Sequence, residues 1–182
     1  MVTFYGPMLA QEPDGEIDIS SIDNLLPILF SEKCSYKFEF LKENVINSGT
    51  ASGILVGGCL SLFCSLLGSS YLPDLNGTLL FLEDTNEKPY RIDRMLTQIK
   101  INGILNKVNG VLFGNFSHCE PSSEDSTTVD NVINEICSDL EIPVVKNISF
   151  GHIKDKITIP MGIEGTLNTE QRFFSFDEPA VI

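Results

Sequence analysis

Three short apolar runs, Thr78–Glu83 (TLLFLE), Val111–Phe116 (VLFGNF) and Ile142–Lys146 (IPVVK), alternate with two amphipathic stretches, and no other feature constrains the fold as much. The first run follows Asn76-Gly77 and is apolar up to its final Glu, as a strand buried on both faces requires. Ile92, Met95, Leu96 and Ile99 then recur at i, i+3, i+4 and i+7, which puts them on one face of a helix ending near Gly103. Val129, Val132, Ile133, Ile136 and Leu140 predict a second helix, with Thr127 as its cap and Asp130 three residues on. Strand, helix, strand, helix, strand makes two successive βαβ crossovers, so the three strands are expected to run parallel with right-handed connections.

The flanks read differently. Tyr36–Leu41 alternates Tyr36, Phe38 and Phe40 with Lys37 and Glu39, the pattern of a strand with one wet face. Asn47–Gly53 reads as a loop of small residues, and Cys59–Leu67 as an apolar helix closed by Gly68. Near the C-terminus, Lys156–Met161 alternates Ile157, Ile159 and Met161 against Thr158 and Pro160, while Ile163–Leu167 and Arg172–Phe176 flank an Asn168-Thr169 turn. All three read as short strands. Residues 1–32 hold six acids, no base and prolines at Pro7, Pro13 and Pro27, which predicts an irregular acidic segment with one short helix. The expected fold class is α/β, with a parallel βαβαβ core and an added antiparallel β layer.

A chain of 182 residues with 42% hydrophobic content can bury the core of one ordinary domain, and no composition shift marks a second. Twelve basic against twenty-five acidic residues leave a net charge of −13, the wrong sign for holding nucleic acid or an anionic membrane. The uncharged stretch 53–67 has fifteen residues, fewer than the ~20 that span a bilayer. Cys34, Cys59, Cys64, Cys119 and Cys137 form no CxxC, and their odd number fits a reducing compartment. The N-terminus MVTFYGPMLAQEP lacks the basic and apolar regions of a signal peptide, so a cytoplasmic location is expected.

In open parallel sheets, ligand-binding groups lie just past the carboxyl ends of the strands. Glu83 ends the first apolar run and His152 follows the third, in SFGHIK, so both are expected on the same rim. A carboxylate that orients an imidazole is the supporting half of a nucleophilic triad, although rim residues of either type also serve structure. None of the seventeen serines lies in a GxSxG elbow. Cys59, after two glycines and at a helix start, is the nearest substitute; there the helix dipole would lower its thiol pKa. Among Leu60, Leu62 and Phe63, however, a small buried hydrophobe is the stronger reading. His118-Cys119 lacks zinc-site spacing, and no phosphate-cradling glycine loop occurs. Glu124-Asp125 lacks a calcium-loop pattern. No metal or cofactor is expected.

The stretch GGCLSLFCSLLGSSYLPDLNGTLLFLEDTNEKPYRIDRMLTQIKINGIL, with GVLFGNF and IPVVKNISFGHIKDKITIPMG after it, resembles the LD-carboxypeptidase family of serine peptidases. That family includes muramoyltetrapeptide carboxypeptidases and microcin C immunity peptidases. The resemblance runs from VTFYGPML almost to the C-terminus and rests on two motifs together, LED-x-x-E-x-P-[YF]-R-[IV]-[DE]-R and F-G-H. It implies a swivelling β/β/α fold and a Ser-His-Glu triad, with the Glu at Glu83 and the His at His152. It also implies that the serine sits in a glycine-led elbow of a flavodoxin-like N-terminal domain, upstream of the segment that Val2–Leu9 resembles. Residues 1–32 are then expected to be the end of that domain with a linker, and residues 33–182 the C-terminal domain.

Relatives usually carry Asn, in a GGN motif, where this chain has Cys59. Arg91, Asp93 and Arg94 match the family's helix start, for which capping and surface ion pairing suffice. The implied function is hydrolysis of the L,D-amide bond that releases terminal D-alanine from murein tetrapeptides in peptidoglycan recycling. The implied assembly is a homodimer, self-association also being favoured by apolar surface exposed without a neighbouring domain. Without the nucleophile domain the chain alone is expected to be inactive. Two other readings stand beside this one: a microcin C immunity-type peptidase cleaving an aminoacyl-nucleotide, and a non-catalytic module that binds peptides or another subunit.

Overall fold

The computed structural model describes residues 1–8, 19–30, 36–122, 126–176 and 178–181. In chain order its elements are β1 (Thr3–Tyr5), α1 (Ile19–Phe30), β2 (Tyr36–Glu39), β3 (Val45–Asn47), β4 (Thr50–Cys59), α2 (Leu60–Ser65) and β5 (Leu79–Thr85). There follow α3 (Pro89–Ile101), β6 (Gly110–Ser117), α4 (Val129–Cys137), β7 (Val144–Val145), β8 (Ile159–Met161), β9 (Glu164–Asn168) and β10 (Phe173–Phe176). No helix among the described residues is long and apolar enough to cross a membrane.

As the alternation predicts, β5, β6 and β7 are parallel neighbours joined through α3 and α4. They form part of an eight-stranded sheet in the order β2-β10-β9-β4-β5-β6-β7-β3. The antiparallel half consists of β2, β10, β9 and one side of β4, which on its other side pairs parallel with β5. Successive residues of β5 supply opposite faces. Leu80 and Leu82 pack with Ile92, Leu96 and Ile99 of α3 and Val132, Ile133 and Ile136 of α4. Leu79 and Phe81 join Leu55, Leu167, Phe174 and Phe176, so the antiparallel half covers the face the helices leave open. Each such side chain contributes about 1.5–3 kcal/mol when fully buried. The fold is α/β with an added antiparallel layer, as expected.

The N-terminal segment packs against this body. β1 pairs antiparallel with β8, with Tyr5 opposite Ile159. Ile28 of α1 is fully buried in the second core, and the Lys156 N–H donates to the Ser21 hydroxyl at 3.0 Å.

Several local expectations are corrected. Residues 47–53 are not a loop: β3 ends at Asn47 and the ten-residue β4 begins at Thr50. The helix is shorter than expected, Leu60–Ser65, and Cys59 is at once the last residue of β4 and the N-cap of α2. The small residues that suggested a loop are what the strand needs here. A Cβ built on Gly57 would stand 1.8 Å from the Phe81 carbonyl oxygen, and one on Gly53 2.2 Å from that of Gly77. The cap of α4 is Thr128, not Thr127; its hydroxyl accepts the Asn131 N–H at 3.2 Å. The third parallel strand narrows to Val144–Val145. Thr158 and Pro160 are buried, not wet, because β8 lies between β1 and the second core. Cys34 and Glu124-Asp125 lie outside the described residues.

Replacing Gly57 with Ala should destabilise the chain by about 3 kcal/mol or more, because backbone must move to admit the methyl group. Gly68 (φ +83°) has open space around its Cβ position, so the same change there should cost only about 1 kcal/mol. Urea denaturation midpoints of the two variants measure the difference.

Candidate active site

Glu83 lies within β5 where the ladder to β6 slips. Leu82 pairs with Phe113 but Asp84 pairs with Phe116, so Gly114 and Asn115 share the position opposite Glu83. Such a bulge re-aims side chains and frees backbone groups for other partners. On its other edge, facing β7, alternate residues of β6 hold the segment after β7: the Ile148 N–H donates to the Phe113 carbonyl at 3.1 Å, and the Asn115 N–H to that of Phe150 at 2.9 Å. Phe150 is fully buried edge-on against Phe81 at 5.7 Å between centroids. This anchoring delivers His152 to the rim beside Glu83. Between them, Gly151 has φ +113°, and a Cβ there would stand 2.7 Å from Glu83 Oε2. Only glycine suits both the backbone and the space.

The two residues selected from the sequence therefore meet. His152 Nδ1 lies 2.9 Å from Glu83 Oε2, and the His152 backbone N–H donates to the same oxygen at 3.3 Å. The Ser117 hydroxyl donates to the His152 carbonyl at 2.8 Å. Glu83 is 0% exposed whereas the His152 side chain is 49% exposed. A buried carboxylate on Nδ1 selects the tautomer that carries its proton there, which leaves Nε2 as the nitrogen available to take a proton. The carboxylate's other oxygen, Oε1, accepts from the Tyr5 hydroxyl. Burial, reinforced by the hydrogen bond to Glu83 and its charge, pushes the Tyr5 phenol well above its usual range, so it remains a donor.

Asp84, 2% exposed, points to the opposite face. Its Oδ2 accepts the Ser61 N–H at 2.9 Å, satisfying a first-turn donor of α2. Its Oδ1 accepts the Thr85 N–H at 2.8 Å and the Cys59 thiol at 3.5 Å. Activation of Cys59 by the helix start is not what the structure gives. Burial pushes the thiol up, hydrogen bonds from Ser61 and the Leu62 N–H oppose this, and the charges of Asp84 and Glu83 raise it further. His118 is exposed while its neighbour Cys119 is buried with its thiol toward the Ser117 carbonyl at 3.3 Å. No group of three or more metal-ligating side chains occurs among the described residues.

Tyr5 and Asp84 were not legible as site components. Tyr5 is 78 residues from Glu83 and carries no local signal, whereas the LED triplet does contain Asp84. With its thiol raised, Cys59 should react with iodoacetamide at pH 8 more slowly than a free cysteine, whose pKa is about 8.5, and catch up only in more alkaline buffer. Mass spectrometry of the modified peptide measures the rate; one at or above that of free cysteine would restore Cys59 as a nucleophile.

Residues 52–167 match the LD-carboxypeptidase C-terminal domain. The probable murein peptide carboxypeptidase of Bacillus subtilis is 34% identical over 181 residues, covering 94% of this chain and 54% of that protein. The microcin C7 self-immunity protein of Escherichia coli is 26% identical over 132 residues, 72% of this chain and 38% of that protein. Muramoyltetrapeptide carboxypeptidase from Oxalobacter formigenes superposes with a TM-score of 0.82 at 31% identity, over 98% of this chain and 61% of that one. Wild-type microcin C7 self-immunity protein gives 0.83 at 20% identity, over 100% and 62%, a likeness of fold alone. The chain spans about half the length of the B. subtilis relative. On this evidence the chain belongs to the LD-carboxypeptidase family of hydrolases and carries its C-terminal domain.

Proposed function

We propose that this chain is the Glu/His-bearing domain of a serine LD-carboxypeptidase that releases terminal D-alanine from murein tetrapeptides in peptidoglycan recycling. The observation that carries the reading is the 2.9 Å contact between a fully buried Glu83 and a half-exposed His152. A carboxylate hidden from solvent and turned onto Nδ1, with the imidazole open on its other side, suits a general base better than a structural ion pair or a passive binding module. The greater identity to murein-directed relatives, 34% and 31% against 26% and 20% for the microcin immunity protein, favours a cell-wall peptide over an aminoacyl-nucleotide.

In this mechanism a serine from a further domain attacks the carbonyl carbon of the L,D-amide. Nε2 of His152 takes the serine proton and returns it to the amine of the leaving D-alanine, and water then hydrolyses the acyl-enzyme by the reverse relay. Glu83 keeps the proton on Nδ1 and stabilises the imidazolium. None of these steps calls on a metal or cofactor. The reading places the enzyme in the cytoplasm as a homodimer.

The test is D-alanine release from murein tetrapeptide by the 182-residue chain, alone and mixed with a separately produced nucleophile domain of the family. The chain alone should be inactive and the mixture active. In the active mixture, His152→Ala and Glu83→Gln should each lower kcat by about 10³–10⁴. Cleavage of an aminoacyl sulfamoyl nucleoside but not of tetrapeptide would move the substrate to the microcin class.

A further inference from the structure

We propose that Tyr5 is a positioning residue of this site: its hydroxyl holds Glu83 so that the first strand of the chain completes the carboxylate–imidazole pair. The role rests on reading His152 as the general base. A buried carboxylate needs hydrogen-bond donors for its lone pairs, and Glu83 is fully buried. Oε2 is served by two donors from His152, its ring Nδ1 and its backbone N–H. Oε1 is served by Tyr5.

Tyr5 is fixed at both ends. Its backbone is registered opposite Ile159 by the β1–β8 ladder, and its ring lies 5.7 Å from Phe81 between centroids. Gly58 borders the ring, and a Cβ there would stand 3.6 Å from it. Besides Glu83, Cys59 at the end of β4 and Asp84 on the far face of β5 act on Tyr5 through their charge.

The physical effect has a definite sign. The Tyr5 hydroxyl stabilises the anionic state of the pair, carboxylate with neutral imidazole, more than the state with one proton added. Removing it makes proton uptake easier, so the pair's apparent pKa rises and the imidazole is less available as a base near neutrality. The hydroxyl bonds the carboxylate in both states, so the shift reflects only the difference between two charged hydrogen bonds, about a few tenths of a pH unit.

The chain has only two histidines and four tyrosines, which makes the test direct. The C2–H signals of His118 and His152 are followed by NMR titration of the 182-residue chain, with His118→Gln for assignment. In Tyr5→Phe, the His152 curve should move up by about a few tenths of a pH unit while His118 stays put. An unmoved His152 curve in a folded variant overturns the proposal. If the variant does not fold, the wild-type chain labelled at tyrosine Cζ decides. The Tyr5 signal should stay un-ionised through the range in which a free tyrosine, pKa about 10, ionises. Tyr5 titrating like a free tyrosine overturns the proposal equally. Neither readout requires peptidase activity, so loss of the murein reading and loss of the Tyr5 role are separately visible.

Discussion

A carboxylate with no exposure to water is the constraint around which the rim of this domain is organised. Left unpaired, the Glu83 anion would cost several kcal/mol, a large fraction of the net stability of an ordinary domain. The donors that offset this come from positions remote in sequence. Tyr5 arrives on β1, which needs β8 as its partner, and His152 arrives on a segment held by the edge of β6 that faces β7. Gly151 must lack a side chain for the imidazole to come this close. Folding of the two ends of the chain and assembly of the site are therefore one condition.

β4 is the second point of dependence. It pairs with β5 in parallel through Leu55–Cys59 and with β9 antiparallel through Thr50–Ile54, so it joins the helix-covered half of the sheet to the meander-like half. Each half alone would expose an apolar face: the parallel strands carry Leu79, Phe81 and Leu112 on the side away from the helices. The near contact of Gly57 with the Phe81 carbonyl is what allows the join. Cys59, the last residue of β4, pairs with Glu83, so the same strand that closes the core also borders the site.

What could be read from the sequence follows from where each signal lives. The parallel strands and both amphipathic helices were legible because burial against one face imposes a period within a single element, as in Ile92, Leu96 and Ile99. Glu83 and His152 were legible because topology alone puts strand ends on a common rim. β4 was not, because its determinant is the absence of side chains at Gly53 and Gly57, and a row of small residues in one dimension is indistinguishable from a loop. The raised thiol of Cys59 was not legible for a related reason. A helix start lowers a thiol pKa only if nothing nearby is negative, and the nearness of Asp84 and Glu83 is a product of strand pairing. Tyr5 depends on a pairing across more than 150 residues, Tyr5 with Ile159, that no local pattern encodes.

The adjacency of Glu83 and Asp84 shows why a strand is the right element for this site. On a helix, neighbouring residues project only about 100° apart, so the two carboxylates could not be sent to opposite faces. On β5 they point to opposite faces, with the sheet between them. Asp84 is then free to bind backbone, closing the first turn of α2 through Ser61, while Glu83 is free to bind side chains, Tyr5 and His152. Exchanging the roles would fail on reach alone: the longer Glu side chain spans to an imidazole on another segment, and the shorter Asp matches an adjacent N–H. The Leu-Glu-Asp order is thus a geometric statement as much as a chemical one, with one acid assigned to architecture and its neighbour to the site.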